Sequence, residues 1–248
     1  MRFPLFKALC QSGSVGFEVT PEQRKEFSEK GYIYIPGALA KSVVLPVRDH
    51  VLKELKRLNI WSTGRMLSQK LKGVPVFQQT GKLGQLISYR NLNERIISQE
   101  LYSDMCLLAD APLHGQDGQL LISLPHPIAW TLEKLNWHRD ISKSQLKGIP
   151  GGQAFVLLDN VAAKGGATLA LAGSHRLESQ HQAKQGVSKL ISEGVNISVK
   201  VGDVELSILE MAGHSGDVYL MDMRVLHTPS INSTKNVRIM ATARYFSG

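Results

Sequence analysis

His138 and Asp140 stand two residues apart in the run Asn136-Trp137-His138-Arg139-Asp140. In an extended segment side chains alternate between faces, so the two would project to one side and offer an imidazole and a carboxylate to a shared ligand. Two such donors do not by themselves hold a transition metal. Eight histidines are available for a third, and His227 has the most informative surroundings. It follows the Gly216-Asp217 turn and the apolar run to Met221, and it precedes a polar turn and a strand bearing Arg238. A buried arginine is costly unless paired, and a carboxylate that takes both arms of the guanidinium is its natural partner. His227 and Arg238 therefore read as a ligand and an anchor for an acidic cosubstrate. Two histidines and one carboxylate on one face of a metal leave three coordination positions open, as in non-haem Fe(II) oxygenases, where a chelating cosubstrate and O2 bind side by side.

The bland alternatives are concrete. An H-x-D tripeptide alone is as well explained by a hydrogen-bonded surface pair, and only its coupling to the His227 and Arg238 block makes it a metal site. Met240, Thr242 and Arg244 share strand parity with Arg238. Thr242 reads first as packing and second as a support for the cosubstrate carboxylate; Arg244 falls at the rim. His175 reads as structural, in the turn Gly173-Ser174-His175-Arg176. His126 is a rim residue, His214 is exposed and Trp137 packs. Arg139 lies on the face opposite His138 and Asp140, where it can meet a loop or a substrate.

These residues need a frame, and the chain changes character at about Gln119. Before it, Thr20-Pro21-Glu22-Gln23 has the form of a capped helix start, with the helix stopping at Gly31. Tyr32-Ile33-Tyr34-Ile35 reads as a strand closed by Pro36-Gly37. Val44, Val47, Val51, Leu55 and Leu58 recur at helical spacing, with Pro46 tolerable only in a first turn. The Gly-, Lys- and Gln-rich stretch 60–85 reads as loop, and Asn93 to Leu108 as one helix. After Gln119, short β-rich runs separated by turn signals follow: Leu120–Leu124, Ala129–Trp137, Gln153–Leu158, Thr168–Ala172, Val195–Val201, Val204–Leu209, Asp217–Met221 and Val237–Phe246. The expected architecture is mainly β with flanking α: an antiparallel jelly roll buttressed by N-terminal helices. One domain over 1–248 is expected, with 1–118 as helical support plus a strand and 119–248 as the jelly-roll core.

Composition narrows the class. A hydrophobic fraction of 43% with 20% charged residues is that of an ordinary globular protein, and no apolar run is long enough to span a membrane. The basic N-terminal arm Met1 to Cys10 is too short in its apolar part for a secretory signal. Cys10 and Cys106 are the only cysteines, which excludes a disulfide framework and makes a reducing cytoplasm the default. The net charge of +8 suits an anionic small molecule. The basic residues form no run and no aromatic-basic repeat, which argues against nucleic acid.

Taken with their order and spacing, these blocks resemble the phytanoyl-CoA dioxygenase family of Fe(II)- and 2-oxoglutarate-dependent oxygenases. The resemblance is carried by Thr20 to Pro36, by Trp137-His138-Arg139-Asp140 as W-H-x-D, by Gly165-Gly166-Ala167-Thr168 through Gly173-Ser174-His175-Arg176, and by Gly216-Asp217 to His227 with Asn232, Thr234 and Arg238 following. Lys164, Ala172 and Arg139 depart from its commonest residues. The resemblance implies a double-stranded β-helix of the cupin kind. It implies Fe(II) held by His138, Asp140 and His227, with Arg238 on the distal carboxylate of 2-oxoglutarate. It also implies O2 consumption, succinate and CO2 as coproducts, and hydroxylation of a small molecule; related halogenases replace the carboxylate that Asp140 retains here. The competing readings are a non-catalytic binding protein of the same fold and a cupin-like metal hydrolase or isomerase. Substrate choice would lie in the irregular stretches 60–85, 141–152 and 176–193.

Overall fold

The computed structural model describes residues 19–62, 65–66, 71, 74–115, 118–141, 149–193 and 197–247. The N-terminal arm with Cys10, the centre of the 141–152 stretch, parts of 60–85 and the start of the expected strand at Val195 lie outside these residues.

Helix α1 (Pro21–Lys30) begins as expected: Thr20 Oγ1 accepts from Gln23 N at 3.2 Å, and Gln23 Oε1 accepts from Thr20 N at 2.9 Å. It ends at Gly31 in the left-handed region, φ 80°. A side chain there would strike Val225 and His175, so this glycine serves both the turn and a close approach. Strand β1 (Tyr32–Ile35) follows, then α2 (Lys41–Arg57), whose Val44, Val47, Val51 and Leu55 are fully buried. Pro46 falls beyond the first turn of α2, contrary to expectation. Its missing N–H would leave the Ser42 carbonyl unpaired, and the Arg95 guanidinium fills that role, donating to Ser42 O at 2.7 Å and Val43 O at 3.2 Å.

A short hairpin, β2 (Trp61–Ser62) with β3 (Arg65–Met66), leads to α3 (Val76–Leu86). This helix corrects the loop expected over 60–85. The helix expected over Asn93–Leu108 is two: α4 (Leu92–Ile96) and α5 (Gln99–Ala109), broken at extended Ile97, with Ser98 Oγ capping α5 by accepting from Leu101 N at 3.3 Å.

The other strands form two antiparallel sheets. In the larger, β1, β10 (Val218–Asp222), β6 (Gly151–Leu157) and β12 (Arg238–Ser247) are neighbours in that order. Two further strands flank β12: β5 (Gln119–Ser123) along its first half and β4 (Leu113–Gly115) along its end. The smaller sheet runs β11 (His227–Pro229), β7 (Thr168–Ala172), β9 (Val204–Glu210), β8 (Ser198–Val201). Phe155, Leu157, Tyr219, Met221 and Met240 from the larger sheet meet Ala170 from the smaller in the interior of the barrel. Alternate residues of the same strands, such as Ala154, Val156, Leu220 and Ile239, face outward onto α2 and α5. The result is the double-stranded jelly roll with helical buttress. The stretch 176–193, expected to be irregular, contains α6 (Gln180–Glu193), whose Ala183 and Leu190 pack with Leu171, Val201 and Leu206 on the far face of the smaller sheet.

The expected strand Ala129–Trp137 does not form; the segment is bends and turns, with Lys134 at φ 59°. Pro125 and Pro127 remove two donors at its entry, and pairing starts only at His138. No helix among the described residues is long and apolar enough to cross a membrane.

Candidate metal centre

His138 and His227 sit opposite each other as an isolated antiparallel bridge at the edge of the smaller sheet, each N–H bonded to the other's carbonyl at 3.0 Å. Their ring centroids are 4.5 Å apart. His138 Nδ1 lies 2.9 Å from Asn136 O and His227 Nδ1 3.2 Å from Val225 O. A carbonyl only accepts, so each Nδ1 carries the proton and each Nε2 keeps a lone pair for a ligand. Both Nε2 atoms face Asp140, at 3.7 Å from Oδ1 for His138 and 3.6 Å from Oδ2 for His227. Those separations are too long for hydrogen bonds. One donor atom from each of the three residues lies within 4.8 Å of the others, a set able to hold a metal ion.

The electrostatics suit a cation. Burial, reinforced by the neighbouring His227, pulls the His138 imidazole below its usual value and so favours the neutral, ligating form. Burial alone would raise the Asp140 carboxyl, but the adjoining His227 and the Arg244 guanidinium outweigh it and hold the group well below the usual carboxylate range. Arg244 Nε donates to Asp140 Oδ2 at 2.7 Å. Arg244, expected at the rim and partly exposed, is also the partner of the carboxylate.

Arg238 lies deeper on the same face of β12 and is 2% exposed. It donates through Nε to Gly166 O at 2.7 Å and through Nη1 to Leu121 O at 2.8 Å, while Nη2 is buried with no partner among the described residues. Burial pulls the guanidinium down to about 9. A buried cation held only by carbonyls, with one donor idle, is what a ligand carboxylate would complete. Thr242 shares this face; its hydroxyl donates to Ala154 O at 2.8 Å and accepts from Gln153 Nε2 at 3.1 Å. Gln153 was not foreseen. It pairs with Arg244 across β6 and β12 and leaves its buried Oε1 without a partner. The available signal was a single amide on the inward side of a strand otherwise carrying Phe155 and Leu157.

Arg139, His175 and His126 take structural places. Arg139 donates to Arg224 O at 2.6 Å and Ser174 O at 2.8 Å, fastening the segment between the two ligands to neighbouring loops. His175 Nε2 bonds Ser28 O at 3.0 Å and ties the turn after β7 to α1. His126 Nδ1 accepts from Ile128 N at 3.2 Å. Trp137 packs against the outer cluster of the smaller sheet, and His214 is exposed. Asn232 is buried and builds the turn before β12, donating to Ser123 O and Asn236 O and accepting from Thr234.

A family model described as phytanoyl-CoA dioxygenase matches residues 27–240. No curated protein matches the chain by sequence. Among solved structures, the fold is similar to the non-haem α-ketoglutarate-dependent carbocyclase SnoK from nogalamycin biosynthesis, at 18% identity and TM-score 0.62 over 95% of this chain and 87% of that one. It is similar to HygX from Streptomyces hygroscopicus, solved with nickel and 2-oxoglutarate, at 17% identity and TM-score 0.58 over 93% and 88%. EctD from S. alaskensis, solved with 2-oxoglutarate and 5-hydroxyectoine, aligns at 14% identity and TM-score 0.61 over 96% and 80%. At such identities the likeness shows the fold alone.

Proposed function

This chain belongs to the phytanoyl-CoA dioxygenase family, and on that premise we propose that it is an Fe(II)- and 2-oxoglutarate-dependent oxygenase that hydroxylates a small organic molecule, with succinate and CO2 as coproducts. The observation that carries the reading is the convergence of His138, Asp140 and His227 within 4.8 Å. The idle Nη2 of Arg238 on the same inward surface supports it. When bound, Fe(II) with 2-oxoglutarate supplies the O2 activation that oxidises a C–H bond.

The chain's own residues do the rest. His138 and His227 would each present Nε2, their rings fixed by the Asn136 and Val225 carbonyls. Asp140 would present a carboxylate oriented by Arg244. Arg238 would grip the distal carboxylate of 2-oxoglutarate with Nη2. Thr242, its proton given to Ala154, would keep Gln153 in place on the wall. Phe155 and Met240 keep this interior dry, which strengthens every polar contact within it. Retention of Asp140 favours hydroxylation over halogenation, because the carboxylate fills the position a halide would need. The solved neighbours, a carbocyclase among them, allow other oxidations on the same frame; no observation favours the non-catalytic or the hydrolytic reading.

The deciding experiment is anaerobic addition of Fe(II) and 2-oxoglutarate to the folded protein. A weak visible charge-transfer band of the chelate is expected, and folded protein without the band would sink the proposal. Substrate-stimulated succinate formation, lost in Asp140→Ala, then identifies the substrate and its product.

A further inference from the structure

Two residues along the ladder from His138 and His227 lies a cavity of about 640 Å3, within the range that takes a small organic ligand. Its position follows from the ladder. His138 and His227 are opposed in an antiparallel pair, so Asn136 and Pro229, two residues along each segment, are the next facing positions, about 7 Å away along the strands. Both line the cavity. The first turn of α3, with Val76 and Phe77, forms one wall, and the irregular segment carrying Pro125 and Ile128 forms another.

Several polar groups in those walls are spent on the protein itself. Gln79 Nε2 donates to Leu71 O and Val74 O, His126 Nδ1 accepts from Ile128 N, and Thr131 Oγ1 accepts from Glu133 N. The charged lining residues, Glu133 and Lys134, are adjacent, exposed and of opposite sign. Among the described residues, the lining therefore carries no net charge. At the mouth, Phe77 is 42% and Ile128 56% exposed, large apolar surfaces on two elements that face one cavity.

We propose that this cavity receives an uncharged, predominantly hydrocarbon substrate and presents one of its C–H bonds to the metal centre. The inference rests on the oxygenase reading for its chemistry, though not for the binding. It replaces selection by charge with selection by apolar shape: burial of hydrocarbon against Val76, Phe77, Ile128 and Pro229 supplies affinity, and the neighbouring ligands supply the reaction.

The test uses the full chain and the neutral solvatochromic dye Nile red as probe. A single saturable site with blue-shifted emission is expected. Ile128→Glu and Phe77→Glu, both at exposed positions that leave the core intact, should each weaken it tenfold or more. Leu86→Glu, on the same helix at a position 58% exposed and outside the cavity, should leave it unchanged. Equal loss in all three variants, or none in the first two, overturns the proposal, as does succinate formation stimulated only by anionic compounds and unaffected by Ile128→Glu. The two readings fail separately. Dye binding sensitive to Ile128→Glu without the chelate band removes the oxygenase chemistry and keeps the site, whereas the band with insensitive dye binding removes the site and keeps the chemistry.

Discussion

Arg238 and Arg244 share one face of one strand and differ in what burial has done to them. Arg244 has an acid, Asp140; Arg238 has only carbonyls and an idle Nη2. Truncating one partner of a buried charged pair costs about 2–5 kcal/mol. Arg238→Ala should therefore raise the 2-oxoglutarate requirement on the order of 100-fold while anaerobic Fe(II) binding without cosubstrate stays as in the wild type; a KM within a few-fold of normal would remove Arg238 from the cosubstrate site. The candidate ligands were legible in the sequence because His and Asp two apart share a face and because His227 lies between the Gly216-Asp217 run and the strand bearing Arg238. The partner of Arg244 was not legible, because parity gives a side chain's face and not its neighbour. Its neighbour depends on where the segment at Asp140 crosses the end of β12, a fact of tertiary register. Gln153 was missed for the same reason: an amide within a β-run looks like ordinary pattern noise until Thr242 and Arg244 are seen beside it.

At the scale of elements, the errors have named causes. Gly81 and Gly84 made α3 look like loop, since glycine disfavours helix by about 1 kcal/mol against alanine. Gly84 is there for another reason: a Cβ on it would fall on the Leu120 carbonyl of β5, so the glycine lets the helix lie against the strand's backbone. Gly84→Ala, favourable by propensity, should instead destabilise by about 1–3 kcal/mol through overpacking, read as a lower denaturation midpoint with an unchanged m-value. Helix α5 carries a second testable strain. Asp104 is 2% exposed, and burial pushes its carboxyl up to about 6, against the N–H of Val19, which lowers it. A folded-state value above the unfolded one means that the folded protein binds the proton more tightly. This contribution is fully present below the unfolded value and is lost as pH rises through about 6. At pH 7 the charged carboxylate should then cost on the order of 2–3 kcal/mol. Asp104→Asn is expected to raise the melting temperature at neutral pH, with the advantage shrinking towards pH 4; a constant difference across that range would contradict the assignment. The capped α1, the apolar stripe of α2 and most strands were readable because cap chemistry and periodicity are local. The break at Ile97 and the loss of the strand at Ala129–Trp137 were not, because each depends on whether a partner is present.

For the whole molecule, the three candidate ligands come from two segments that are far apart in sequence and meet at one edge of the smaller sheet. A metal bound there stabilises the folded chain alone, by about 2.7 kcal/mol at a hundredfold excess over Kd. For a protein of this size that is roughly 5–10 °C in Tm, so adding Fe(II) or Co(II) should raise the melting temperature and a chelator should reverse it. The jelly roll was legible at this scale from eight short β-rich runs, seven of which are strands; which of them would face one another was not. The bridge between His138 and His227 has a further consequence. These two residues trade both of their amide hydrogens across the pair, so the backbone protons of the ligands themselves report on whether the edge is shut. In deuterated buffer, the amides of His138 and His227 should exchange much more slowly once metal is added, while those of α6, on the far side of the smaller sheet, keep their rate. An isotope clock is thus built into the very peptide groups that carry the imidazoles, and it can be read without knowing the substrate.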